Sequence, residues 1–207
     1  AAPVYSTADT SLWGIQTAAR VDLKDLLEKS YALGGVSYYN YANIEGFPRS
    51  VGAGSGQNTV VGTAYAMDYN LINPFVEVGF PVLGLPVKVY GDLCFNTGAE
   101  RVATVRGSND FGWLVGFQVN EARNPGDWEV RYDYRNVPPD SMVSIFTDSD
   151  SWGGGTDGRG HRVTLGYALA RNVQVAATYF CNQVDTYNRN LDESFYHRLQ
   201  VDFTVKF

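Results

Sequence analysis

The sequence predicts an all-β fold, a transmembrane antiparallel up-and-down β-barrel built as a single domain over residues 1–207. Three observations carry the prediction. The first is alternation: in 195–207, Leu199, Val201, Phe203, Val205 and Phe207 alternate with Arg198, Gln200, Asp202, Thr204 and Lys206. Successive side chains of a strand point to opposite faces, so such a strand is apolar on one side and wet on the other. The second is repetition: about nine such segments occur, each of about 9–11 residues, the length that crosses a bilayer at barrel tilt. The third is the rhythm of the connections. Short ones (24–30, 83–86, 121–126, 171–172) alternate with long ones (43–70, 97–110, 136–160, 183–194). Barrels have short turns at one end and long loops at the other.

Each element has its own signal. Segment 11–23 sets Trp13, Ile15, Ala19, Val21 and Leu23 against Gly14, Gln16, Ala18, Arg20 and Asp22. The charged stretch after it has room for one helical turn. Segment 31–42 is a second strand whose faces are mixed, with Tyr39 and Tyr41 near its end. Gly46, Pro48, Gly52, Gly54 and Gly56 punctuate a loop over 43–58. Segment 59–70 alternates and reads as either a separate strand or an extension of the next one. Strands follow over 71–82 and 87–96, joined by a tight reversal at 81–86. In 111–120, Phe111, Trp113, Val115, Phe117 and Val119 share one side. In 128–135, Trp128, Val130, Tyr132 and Tyr134 oppose Glu129, Arg131, Asp133 and Arg135. After the loop over 136–160, strands at 161–170 and 173–182 are joined by Arg171-Asn172, and 183–194 leads to the last strand.

By this register one face carries Arg20, Lys88, Arg131, Arg135, Arg162, Arg198 and Lys206, with Asp22, Glu77, Asp92, Glu129, Asp133 and Asp202. The other carries aromatic residues toward strand ends: Trp13, Tyr41, Phe80, Phe95, Phe111, Trp113, Tyr134, Tyr179 and Phe207. A soluble β-sandwich also alternates. Aromatic girdles at two levels are what a bilayer selects, and they favour the membrane. The charged face is then expected to line an aqueous lumen and set its field. Nine strands, with the last ending on the short-turn side, place the two ends of the sheet on opposite sides of the membrane. The expectation is therefore the C-terminal part of a larger barrel, with the remaining strands on missing or separate polypeptide.

Other classes find less support. A net charge of −6 argues against nucleic-acid binding. No run of about 18 apolar residues suits a transmembrane helix, which does not argue against strands. Cys94 and Cys181 form no metal or haem motif. They fall on opposite faces, four strands apart at about 4.8 Å per strand, too far for a disulfide. His161 and His197 stand beside no nucleophile motif, so no enzyme and no cofactor is expected. Asp140, Asp148, Asp150, Asp157, Asp185 and Asp192 lie in the long loops and suggest an acidic mouth that concentrates cations. Asp148, Asp150 and Asp157 are a weak calcium candidate without EF-hand spacing, so no metal is assigned. Loop 136–160 either folds inward as a constriction or stays in solvent.

Several stretches also carry a resemblance. FVEVGFPV (75–82) with the LPVKVYGD that follows, FTDSDSWGGGTDGRGH (146–161), GYALARNVQVAATYF (166–180) and the terminal strand resemble the Putative porin family of Gram-negative outer membranes. The likeness covers about the last two thirds of the chain. It implies a multi-pass, water-filled barrel of about 16 strands, passing ions and small hydrophilic solutes by passive diffusion. The partners implied are the lipid bilayer and lipopolysaccharide, and a homo-oligomer, a trimer by analogy. A competing reading of another class is a structural barrel that anchors or sheathes a partner complex.

Overall fold

The computed structural model describes residues 8–25, 27–49, 57–99, 109–187 and 193–206. The strands are β1 (Ser11–Asp22), β2 (Tyr31–Ala42), β3 (Val60–Val61), β4 (Ala64–Tyr65), β5 (Tyr69–Val82) and β6 (Leu85–Asn96). They continue with β7 (Phe111–Val119), β8 (Trp128–Val137), β9 (Gly158–Ala170), β10 (Val173–Val184) and β11 (Ser194–Val205). Nine of them form one antiparallel sheet in the order β1-β2-β5-β6-β7-β8-β9-β10-β11. Neighbours in sequence are neighbours in space, the up-and-down topology that short hairpins impose. The sheet is open: β1 and β11 are its edges. The one other sheet among the described residues is the two-stranded β3–β4 ribbon at the loop end, so the chain is not a two-layer sandwich. No described helix is long and apolar enough to cross a membrane.

The alternating segment 59–70 resolves into two pieces. Val60–Val61 and Ala64–Tyr65 make a separate two-stranded ribbon, turned at Gly62 with φ of 65°. Tyr69 and Asn70 extend β5. The wall therefore keeps nine strands. Its long strands exceed the expected bounds: β8 runs on to Val137 and β9 starts at Gly158, which shortens the second long loop to 138–157. The charged stretch after β1 makes a single turn, Leu27 N donating to Leu23 O at 3.0 Å. The reversal after β5 is Leu83-Gly84, with φ of 51° and 82°, the left-handed pair that matches strand twist in a two-residue hairpin.

Antiparallel partners share a face, so the pairing extends one parity across the sheet. Gln16 lies opposite Ser37, Leu33 opposite Glu77, Lys88 opposite Gln118, Asp133 opposite Arg162, and Ala176 opposite Asp202. On this charged face, large rings lie across glycines of the next strand: Tyr31 over Gly79, Phe75 over Gly35 and Tyr90 over Gly116. A ring that covers a neighbouring strand needs that strand to have no side chain beneath it.

The packed core does not lie between sheets. It sits at the loop end of the charged face, where Ile44, Tyr65, Met67 and Val143 from loops meet Tyr69, Leu71 and Cys94 of the wall. The opposite face is bare, with Trp13 70%, Leu199 68% and Phe203 66% exposed. Side chains of this kind left open on one whole face of a sheet require an apolar surrounding.

A Cβ at Gly116 would stand 2.6 Å from both the Tyr132 carbonyl oxygen and the Tyr90 ring. Gly116→Val is expected to lower stability by about 1–3 kcal/mol through overpacking, seen as a lower unfolding midpoint of the refolded chain.

Candidate functional site

The charged face is organised around Asp133, which is 1% exposed. The register sets Arg162 of β9 directly opposite it, and Arg135 follows two residues along its own strand. Arg135 Nη2 donates to Asp133 Oδ1 at 2.9 Å, and Arg162 Nε donates to Oδ2 at 2.7 Å. Both guanidinium groups then reach the loop. Arg135 Nη1 donates to Asp148 Oδ2 at 2.8 Å and to Ser151 Oγ at 3.1 Å, while Arg162 lies 3.7 Å from Asp148. Arg198 of β11 pairs with Asp150 at 3.0 Å. Wall arginines on three strands are thus matched by carboxylates of one loop.

Neutral contacts hold that loop as well. Asp140 is fully buried; its Oδ1 accepts from Thr59 N at 2.9 Å and Tyr69 Oη at 2.7 Å, and its Oδ2 from Asn109 Nδ2 at 2.6 Å. Asn58 Nδ2 donates to the Pro139 and Met142 carbonyls at 2.6 and 2.8 Å, and its Oδ1 accepts from Ser144 N at 2.8 Å. The Cys94 thiol donates to the Ser141 carbonyl at 3.1 Å. The loop therefore packs on the charged face of the wall and is not free in solvent. Between loop and wall remains a pocket of about 240 Å³, bounded by Asp92, Leu114, Arg135, Met142, Phe146 and Trp152.

The remaining charges, Asp92 excepted, lie nearer the short turns. Arg131 pairs with Glu129 at 2.9 Å, and Lys88 with Glu121 at 2.8 Å, where Arg123 also binds. Arg20 stacks on Tyr31, 3.7 Å from the ring centroid, and Tyr31 Oη donates to Glu77. Asp92 accepts from Asn73, and Asp202 from Gln200. All of these expected lumen residues share the charged face. Lys206 follows the end of β11 with the same parity, its backbone N donating to Asn172 O at 2.8 Å.

Trp13, Phe80, Phe95, Phe111, Trp113, Tyr134 and Tyr179 share the apolar face. Phe207 and Asp192 lie outside the described residues. Tyr41 does not belong to the girdle. It pairs with Leu12 on the charged face and packs against Tyr69 and Phe146, because β2 carries aromatic residues on both sides and its pattern does not fix its parity.

The acidic mouth also needs correction. Asp140 is taken up by Thr59, Tyr69 and Asn109, Asp148 and Asp150 by arginines, and Asp157 accepts from Tyr187 N at 2.7 Å. Asp185 accepts from Gln57 at 2.9 Å, and burial raises its carboxyl above the usual range. Asp148, Asp150 and Asp157 diverge to different partners, so the weak calcium set is not assembled, and no described cluster of His, Cys, Asp or Glu suits a metal. His161 and His197 lie on the apolar face, bound to the hydroxyls of Tyr132 and Tyr179 at 2.9 and 3.0 Å. Cys94 and Cys181 are free and on opposite faces. Asn58 and Asp140 are the residues that the sequence pattern did not single out as loop anchors.

The nine-stranded antiparallel wall, with its carboxylates and nearly all its charge on one face, is consistent with the wall of a β-barrel-like porin. The chain matches the family described as Putative porin over residues 87–207, more than half its length, and it belongs to that family. No curated protein and no solved structure matches it. Membership points to a porin-type, non-enzymatic role at the outer membrane.

Burial pushes the Asp148 carboxyl up, but the Asp150 N–H and the Arg135 guanidinium outweigh it and hold the group below the usual range. Its contribution is fully present above the unfolded-chain value and is lost as pH falls through the lower folded value. Acidification below the ordinary aspartate range should therefore speed protease cleavage within 138–157. Asp140→Ala should do the same at neutral pH, since each buried donor left unpaired costs about 1–3 kcal/mol.

Proposed function

We propose that this chain forms the wall of a water-filled outer-membrane pore through which ions and small hydrophilic solutes diffuse passively, without cofactor or turnover. The observation that carries this reading is the sorting of charge. Arg20, Glu77, Lys88, Asp92, Glu129, Arg131, Asp133, Arg135, Arg162, Arg198 and Asp202 all share one face, and the opposite face is apolar and exposed. Hydrocarbon accepts the second face and water the first. Lys206 stands at the turn-end rim of the same bore.

On this reading the loop over 138–157 narrows the bore. It sets Asp148 and Asp150 against Arg135, Arg162 and Arg198, so a passing ion meets near-balanced charge. Lipid and lipopolysaccharide surround the apolar face. The open edges are completed by further strands, and about seven more would bring the wall to about 16.

Planar-bilayer recording of the completed barrel, this chain together with the strands that cover its two edges, tests the proposal. The expected result is steady conductance with no enclosed partner protein. Asp148→Asn with Asp150→Asn should raise conductance and move the reversal potential toward anions, because the three arginines lose their counter-charges. A completed, inserted barrel that stays silent would overturn the pore and favour the sheathing barrel.

A further inference from the structure

The apolar face has one exception to its neutrality. Among the described residues, its strand positions hold three basic side chains, Arg159, His161 and His197, and no carboxylate. All three lie at the loop end, Arg159 and His161 on β9 and His197 on β11, with β10 between them. Arg159 is next to the first residue of β9, and His161 and His197 flank Cys181 in one cross-strand row. The turn end of the same face carries Trp128, Tyr167 and Val205 and no cation. A girdle that merely marked the two interfaces would not be basic at one of them alone.

The local geometry is that of an open donor set. Arg159 Nε donates to Gln183 Oε1 at 2.9 Å, and its Nη2 lies 3.6 Å from Glu193, with both side chains more than a third exposed. Among the described residues Glu193, just before β11, is the carboxylate paired with it, and the pair is too long and too wet to occupy the guanidinium. The Tyr132 and Tyr179 hydroxyls hydrogen-bond Nδ1 of His161 and His197 at 2.9 and 3.0 Å, which leaves Nε2 of each ring for a further partner. A pocket of about 210 Å³ opens here, lined by Tyr134, Arg159, His161, Asn182, Gln183 and Phe195. Below it on the same face run Val163, Leu165, Leu199 and Val201.

We infer that this cluster binds the phosphorylated headgroup of a lipid in the leaflet at the loop end. The inference rests on the membrane-barrel reading above. A guanidinium with N–H groups to spare is suited to phosphate oxygens, and the imidazole rings add polar nitrogen atoms beside it. The apolar stripe beneath suits acyl chains, which a free phosphate lacks. An arginine facing lipid is costly at mid-bilayer and nearly free at the interface, so its place at the strand ends is the one where it can be kept for binding.

The test uses the full chain refolded into phosphatidylcholine vesicles containing either diphosphorylated lipid A or its dephosphorylated form. Lipid retained after detergent extraction is counted by native mass spectrometry, and insertion is scored separately by protease protection. The expected result is about tenfold greater retention of the phosphorylated form, roughly 1.4 kcal/mol, abolished in Arg159→Gln with His161→Gln and kept in Arg171→Gln at the opposite end. Equal retention of the two lipids by an inserted chain, or retention unchanged in the double variant, would overturn the site and leave the barrel standing. Failure to insert into either vesicle would overturn the barrel reading and the site with it.

Discussion

Parity along the strand is the constraint from which the rest of this structure follows. A strand has two faces and no intermediate position, so one residue of slippage would carry every arginine of a strand to the apolar side. Nine strands keep a common parity through their pairing, and at one end of the wall two of the hairpins are short and defined. Leu83-Gly84 and Arg171-Asn172 leave little freedom to the pairing of β5 with β6 and of β9 with β10. The one register shift in the β9–β10 pair falls between Val173 and Gln174, beside its turn, where it alters no residue of the charged network. Rings laid over Gly35, Gly79 and Gly116 add a second lock, since a slipped strand would present a side chain where the ring must lie.

Once the charges share a face, their mutual spacing decides what the loop does. Asp133 is almost wholly buried between two guanidinium groups, and an ion pair so placed is costly to break although its formation from water gains little. Two arginines around one carboxylate leave positive charge over, and Asp148 supplies the balance from the loop. The exposed pairs, such as Arg20 with Asp22, contribute little by comparison. Asp140 and Asn58 complete the attachment through uncharged partners. Their buried bonds are screened little by salt, whereas the loop's hold on Arg198 is partly exposed and screened by it.

What could be read from the sequence was what is periodic. The strand faces, the two-residue turns and the charged side of β8 follow from alternation, which each segment displays by itself. Tyr41 could not be placed, because Tyr38, Tyr39 and Tyr41 offer aromatic side chains to both faces of one strand, and only pairing with β1 and β5 decides between them. The loop network was hidden for a different reason. Asp140 and Thr59 are far apart in sequence, and nothing in the residues around either marks the other as its partner. An aspartate in a glycine-rich loop looks like solvated charge until the donors that surround it are known. The ribbon formed by β3 and β4 imitated a wall strand because its few residues alternate over a span too short to distinguish the two.

The edges of the sheet carry the last consequence. β1 and β11 each leave one side of the backbone unpaired, and in hydrocarbon every such group costs several kcal/mol. In an antiparallel sheet of nine strands the first and the last run in the same direction. Direct closure of β11 on β1 would therefore be parallel, unlike every other pair in the wall. A second copy related by rotation about the bore would bring β11 beside the other copy's β1 in the same parallel sense. On the proposed reading, only an odd number of further strands lets both edges be covered by antiparallel neighbours, and that gives an even total. The rule that sorts side chains by parity within each strand thus reappears in the number of strands the wall requires.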